Sequence, residues 1–385
     1  MPDGSSTQVP QNLVPLKRAA RARGLIYVSD EAPGLRREKR GEQFIYLAPS
    51  GRRITDERVL ARIRKLAIPP AYTDVWICRD PRGHLQATGR DARGRKQYRY
   101  HPEFRTTRDD GKFARMAEFG ARLPQLRRRL RRDLKLSGLP RDKVLAVVVS
   151  LLQSTLIRIG SEEYARTNNS FGLTTLRDQH VKFIRDGRAS FRFRGKSGRF
   201  HEIALNDARL VRLVRHCQEL PGQHLFQYVD DNGQQQRVDS GLVNEYLHDA
   251  MGSFRGEDFT AKDFRTWGAT LRAIAVLACR ECPEDCSERD FKRCIVETAG
   301  KVAEALGNTP AVCRKSYINP IVFTAWRNGA LQALSKRNKR GAQEKLALAL
   351  LKAATGASRP GLKHQLQQSI RSLAAKNAPV AVRHA

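Results

Sequence analysis

The chain has no apolar run fit to cross a bilayer. Its most hydrophobic stretch, Val144 to Ile159, is broken by Ser150, Gln153, Ser154, Thr155 and Arg158, so it reads as a buried helix and a membrane span is excluded. The first 22 residues hold no h-region, which leaves no secretory signature. Cysteine is scarce and its count of seven is odd, which argues against a disulfide framework and for a reducing, intracellular compartment. A credible Walker motif is missing. Gly195-Lys196-Ser197 resembles a P-loop ending, but Ser190 stands where the first glycine belongs, and alternating Phe and Arg make the run a strand, so nucleotide binding there is rejected. No internal repeat is found. Acidic residues are few: 39 Asp and Glu face 71 Lys and Arg, for a formal net charge of +32. Such a surplus, spread along the chain, points to a polyanion, and nucleic acid is the leading partner because each neutralised phosphate releases counterions.

The pattern along the chain predicts an α+β protein in four parts. Residues 1–23 read as a polar, then basic arm. Residues 24–105 read as a small, β-rich, basic domain, with strand-like runs at Leu25–Val28, Phe44–Leu47 and Val75–Cys78 and a helix with Val59, Leu60, Ile63 and Leu66 on one face. Its last segment, Lys96-Gln97-Tyr98-Arg99-Tyr100-His101, interleaves bases with aromatics. Residues 106–330 read as mainly helical, with Leu123, Leu126, Leu130 and Leu134 forming a narrow apolar stripe among arginines. Within them a β-hairpin is predicted from Phe191–Arg194, the turn Gly195–Gly198, and Phe200–Leu205. Residues 331–385, with eleven Lys/Arg and Glu344 as the one acid, read as a basic tail, weakly amphipathic at Leu346, Leu348, Leu350 and Leu351, that orders on a partner.

Five residues draw attention as chemistry. Tyr317 closes the segment Leu306-Gly307-Asn308-Thr309-Pro310-Ala311-Val312-Cys313-Arg314-Lys315-Ser316-Tyr317, a short Pro-initiated helix with basic side chains beside it. That is how a strand-cutting enzyme presents a phenolic nucleophile, although a core tyrosine with a bonded hydroxyl has the same local pattern. Arg158 ends an apolar helix, where a guanidinium needs a partner; an ion pair with Glu162 or Glu163 is the plain reading. Arg265 follows the capping box Thr260-Ala261-Lys262-Asp263, and a cation in the first turn opposes the helix dipole, so anion binding competes with a simple surface role. Lys196 sits at the hairpin tip and reads alone as a solvated turn lysine. Asn308 occupies the tight joint between Gly307 and Thr309-Pro310. Each is ambiguous singly; their combination discriminates.

That combination resembles the type IB DNA topoisomerases of the small, poxvirus-like and bacterial branch, from about Leu25 to Trp326. The matching segments are Tyr27-Val28-Ser29-Asp30, Ala67-Ile68-Pro69-Pro70, Gln86-Ala87-Thr88-Gly89-Arg90-Asp91, Gly172-Leu173-Thr174-Thr175-Leu176, Lys262-Asp263-Phe264-Arg265-Thr266 and the Tyr317 segment. The resemblance implies a C-clamp around duplex DNA and relaxation of supercoils through a 3′-phosphotyrosyl link, with neither ATP, nucleotide nor metal. It implies Tyr317 as nucleophile, Arg158 and Arg265 as a clamp on the scissile phosphate, and Lys196 as general acid toward the 5′-oxygen. Asn308 stands where many relatives have histidine; its amide can donate to a non-bridging oxygen but cannot shuttle a proton. Tyr164, Gln86, Arg90, Lys96, Tyr98 and Lys262 are implied on the DNA. No cofactor is expected, and the implied protein is a cytoplasmic, nucleoid-associated monomer.

Three other readings compete. Tyrosine recombinases share the Arg, Lys, Arg, Tyr set, but their second arginine follows His-x-x-Arg where this chain has Lys262, and their N-terminal arm domain is helical. A non-catalytic architectural DNA-binding protein has no use for a tyrosine in this setting. Cys279, Cys282, Cys286 and Cys294 carry a knuckle-like first spacing. Helical spacing places such cysteines on one face without an ion, so no metal is assigned.

Overall fold

Short runs of alternating residues separated by tight turns favour antiparallel pairing, and that is what the computed structural model shows. It describes residues 20–356 apart from 22, 93, 95, 255, 282–285 and 338–342; most of the predicted arm, and the expected tail beyond 356, lie outside the described residues. Two compact units result, one ending at Lys112 and the other beginning at Phe113.

In the first unit, β1 (Leu35–Arg40), β2 (Gln43–Leu47), β3 (Thr73–Ile77), β4 (Leu85–Arg90) and β5 (Lys96–Tyr100) form one antiparallel sheet in the order β2-β1-β3-β4-β5. Leu35, Val75, Ile77 and Ala87 pack against Ile63 of helix α1 (Glu57–Lys65). Asp56 caps that helix by accepting from the backbone N–H groups of Arg58 and Val59. Two details depart from the expected strands. Leu25–Val28 makes only an isolated bridge, Ile26 to Gly83, because the Val28 N–H goes to His84 Nδ1 and the Tyr27 ring stacks on that imidazole at 4.2 Å. In its place the charged run Leu35-Arg36-Arg37-Glu38-Lys39-Arg40 is a strand. Arg37 makes this possible: its guanidinium donates to the carbonyls of Ile68, Pro69 and Tyr72 at 3.2, 3.0 and 2.6 Å.

Helix α2 (Pro102–Asp133) carries the chain into the second unit, which is mostly helical. Its predicted stripe is buried at Leu123, Leu126 and Leu130 and half-buried at Leu134. Helix α3 (Arg141–Thr155) is apolar on nearly every side and fully enclosed from Val144 to Val149, as a helix at the centre of a core must be. Helix α4 (Glu162–Asn168) follows, and then β6 (Val181–Ile184), β7 (Arg188–Arg194) and β8 (Phe200–Leu205), a three-stranded sheet containing the predicted hairpin. Helices α5 (Ala208–Gln218), α6 (Ser240–Met251), α7 (Ala261–Ala278), α8 (Glu288–Leu306), α9 (Pro310–Ser316) and α10 (Ile321–Arg327) complete the order, with two small ribbons among them. Among the described residues, no helix is long and apolar enough to cross a membrane.

The stretch read as a basic tail from 331 needs correction as far as 356. It forms α11 (Ala330–Arg337) and α12 (Gln343–Gly356), and Leu331, Leu346, Ala347, Leu350 and Leu351 are buried in the main core. Glu344, its lone acid, is paired with Arg127 at 2.7 and 2.6 Å. The apolar residues recur at i, i+4 while Lys336, Lys345 and Lys352 face outward, so the weak amphipathic pattern is a core-facing stripe and the net charge lies on the other side. Leu350→Ala is expected to lower unfolding stability by about 2–4 kcal/mol, the usual cost of a core truncation. Chemical denaturation checks it, and an unchanged midpoint would return the segment to the status of a tail.

Candidate active site

Helix α8 must end where Gly307 adopts the left-handed conformation (φ 61°), with its N–H returned to Glu304. Thr309 then caps α9 by accepting from the Val312 N–H, and Pro310 supplies the first helical residue without wasting a donor. Two turns later Tyr317 leaves the helix, its N–H on the Cys313 carbonyl at 3.0 Å. The hydroxyl of buried Thr270, on α7, accepts from the Asn319 N–H at 3.2 Å, which ties the tyrosine segment to that helix. The ring itself is half-buried against the core.

Arg265 lies on α7 and is only 4% exposed. Its guanidinium donates Nη1–H to the carbonyl of Leu156 and Nη2–H to that of Leu306 at 2.9 Å. Both acceptors are carbonyls at helix C-termini, which lack intrahelical partners and carry partial negative charge. Leu156, left-handed at φ 55°, ends α3 with its carbonyl bonded to the arginine. The group then faces the nucleophile candidate, with Cζ 5.2 Å from the Tyr317 ring centroid. Its Nε is buried and finds no acceptor among the described residues.

Beyond α3 the chain is pinned in an extended course. The carbonyl of Arg158 accepts from Leu173 N–H at 2.9 Å and that of Ile159 from Thr174 N–H at 2.8 Å. The backbones approach so closely that a Cβ on Gly172 would lie 2.6 Å from the Arg158 oxygen, a physical reason for glycine there. Arg158 is thereby aimed not at Glu162 or Glu163 but at Asn308, whose Oδ1 accepts from Nη2. A guanidinium can only donate, so this bond orients the amide and leaves Nδ2 facing inward. That nitrogen, too, is buried without an acceptor among the described residues.

Charge follows from this geometry. Burial pushes the Tyr317 phenol up, but the guanidiniums of Arg265 and Arg158, with Lys262 adding to them, outweigh it and hold the phenol below its ordinary value. Arg158 is lowered by burial first and by the charge of Arg265 second. Lys196, exposed at the hairpin, lines a small cleft with Arg158, Arg265, Phe193 and Leu306. Tyr317, Arg158, Arg265, Asn308 and Lys262 are thus brought together, with Lys196 beside them.

The other residues assigned to DNA fare differently. Gln86 is 3% exposed, and its amide is spent on the carbonyls of Asp80, Pro81 and Gly83 and on Arg62 at 2.8 Å. In this structure it braces a turn, and its buried, saturated amide offers nothing outward. Arg90 and Lys96 are half-exposed and paired with Asp74 and Asp30, while Tyr98 is exposed and stacked on Tyr100 at 6.0 Å. Tyr164, on α4, is exposed. Two residues at the site were not anticipated, Arg199 and His201. For His201 a signal existed: it falls in the inward row of β8, in register with Phe193, where alternation calls for an apolar side chain.

Among the described residues no cluster of His, Cys, Asp or Glu could hold a metal ion, and Cys282 of the cysteine group lies outside them. A half-buried phenol among permanent cations is equipped for one class of reaction, nucleophilic displacement at an anionic ester. Comparison with known proteins narrows the class. The family described as bacterial DNA topoisomerase IB, N-terminal domain, matches residues 43–91, and that described as eukaryotic DNA topoisomerase I, catalytic core, matches residues 101–342. The chain is 34% identical over 302 residues to DNA topoisomerase 1B of Acanthamoeba polyphaga mimivirus, which covers 77% of this chain and 88% of that protein. It is 24% identical over 268 residues to DNA topoisomerase 1B of vaccinia virus (strain Copenhagen), covering 66% and 78%. The chain belongs to the type IB DNA topoisomerases.

Proposed function

We propose that this chain relaxes supercoiled duplex DNA by opening one strand at a time through Tyr317. The phenolic oxygen attacks a backbone phosphorus, the P–O bond to the 5′-oxygen breaks, and the strand is left on a 3′-phosphotyrosyl link. Lys196 gives its proton to the departing 5′-oxygen, and the phenolic proton is lost to solvent. Rejoining runs the same steps backward. The covalent link retains the energy of the phosphodiester, so no ATP is consumed and no metal is required.

The observation that carries this reading is a pair of buried donors without acceptors among the described residues, Arg265 Nε and Asn308 Nδ2, beside a phenol flanked by two guanidiniums. Unpaired buried donors are costly, and the non-bridging oxygens of a phosphate would satisfy them while the guanidiniums neutralise developing charge. In the same reading the sheet unit and the helical unit form a C-clamp on opposite sides of the duplex. Arg90, Lys96, Tyr98, Tyr164 and Lys262 touch DNA, and a monomer acts on the cytoplasmic nucleoid.

The test is relaxation of positively and negatively supercoiled plasmid, lacking any recombination site, in EDTA without ATP. Both should relax, and a denaturing gel should hold a protein–DNA adduct. Failure of either supercoil sign to relax, or dependence on ATP, would refute the proposal. Duplex affinity should also fall by about 10³ or more between 50 and 200 mM salt if six or more phosphates are neutralised. A flat response in filter binding would contradict the phosphate contacts.

A further inference from the structure

The hairpin that carries Lys196 has an imidazole at its root. In the ladder, Ala189, Phe191 and Phe193 pair with Leu205, Ile203 and His201. The outward row instead pairs Arg192 with Glu202 at 2.6 Å. His201 thus takes the place that alternation reserves for an apolar residue, and its ring stacks on Phe193 at 5.2 Å and 18°.

What the ring touches on its edges is more telling. A Cβ on Gly195, next to Lys196, would lie 2.5 Å from Cδ2 of the imidazole. A Cβ on Gly307, next to Asn308, would lie 2.1 Å from its Cε1. The ring therefore fills the space between the hairpin turn and the joint after α8, and glycine at both positions is what lets it fit. Arg199, at the far side of the same turn, adds a second link by donating to the Asn308 carbonyl at 2.7 Å. The imidazole also lines the cleft shared by Lys196, Arg158 and Arg265. Burial, then the charges of Arg158, Arg265 and Arg199, lower its pKa below the ordinary value. A ring kept neutral there is a poor proton donor and adds no further charge to the clamp.

We propose that His201 is a positioning residue that docks the Lys196 hairpin on the Gly307–Asn308 joint, so that the lysine ammonium meets the departing 5′-oxygen. The inference rests on Lys196 being the acid. Placement matters because misalignment of a catalytic group by about 1 Å can cost on the order of 100-fold in rate.

The experiment measures single-turnover cleavage of a duplex with one scissile bond, and of the same duplex with sulfur replacing the bridging 5′-oxygen. A thiolate departs without a proton because a thiol is far more acidic than an alcohol. Lys196→Ala should be slow on the oxygen duplex and near wild type on the sulfur one. His201→Ala should show the same signature, about 10- to 100-fold slower with oxygen and within about 3-fold of wild type with sulfur. The sulfur rate reports a folded clamp and nucleophile; should the alanine variant not fold, His201→Gln is read in the same way. A His201 variant slow on both duplexes, or unimpaired on the oxygen one, overturns the positioning role. If Lys196→Ala itself is not rescued, the general-acid reading fails and this inference falls with it, a result separable from failure at His201 alone.

Discussion

Tyr317→Phe should abolish both relaxation and the covalent adduct while leaving duplex binding intact. The substitution removes one oxygen from a half-buried ring that keeps its packing on the core and its face toward Arg265. The backbone is held independently, through Cys313 and the Thr270 hydroxyl, so the fold has no reason to change. Losing a nucleophile costs orders of magnitude, and relaxation should drop below roughly 10⁻⁴ of wild type. Both supercoil relaxation and the denaturing gel check it. A variant that still relaxes DNA, with filter binding unchanged, removes Tyr317 from the chemistry.

Replacing Arg265 should have the second largest effect, and it should damage stability as well as rate. Arg265→Ala takes away the donors to Leu156 and Leu306, leaving two helix-end carbonyls buried and unpaired. At about 1–3 kcal/mol for each unsatisfied group, the unfolding free energy should fall by about 2–6 kcal/mol. It also removes the cation that does most to hold the phenol down. Burial then acts with less opposition, the Tyr317 pKa rises, and the pH–rate profile for cleavage should move to higher pH. Loss of one preorganised cation costs about 10²–10³-fold in rate.

Arg158→Ala makes the contrast, because its guanidinium is half-buried and bonds a side chain, Asn308, instead of two helix ends. Its rate loss should be comparable and its stability loss small. Arg265→Lys separates charge from shape, since an ammonium lacks the fork that spans two carbonyls. Thermal melts and single-turnover cleavage on these variants decide the matter. Equal stability losses at 158 and 265, or wild-type rates in either alanine variant, would contradict the roles given to them.

The local signals were strong where backbone chemistry alone dictates form. A glycine, a capping threonine and a proline in the order 307, 309, 310 mark one helix ending and another beginning, and both boundaries fall there, with Tyr317 at the end of the second helix. The alternation at 191–205 delivered the hairpin and Lys196. Charge misled in both directions. Leu35–Arg40 is a strand because Arg37 reaches a loop more than thirty residues away, and Leu331, Leu346, Leu350 and Leu351 are core because they share a face. Gln86 was placed on DNA by resemblance alone, and nothing local shows that Arg62 and the turn at 80–83 consume its amide.

Residue order by itself pointed to a polyanionic partner and to the principal elements, because these follow from charge, periodicity and caps that act over a few residues; the candidate reacting groups, each ambiguous alone, came from the family their combination resembles. Only the tertiary structure decided that Arg265 would bind the ends of two helices, that Arg158 would meet Asn308, and that His201 would lie between two glycines 112 positions apart, Gly195 and Gly307. Those contacts join segments distant in the chain. Each exists because burial leaves polar groups and voids that only a particular neighbour can satisfy.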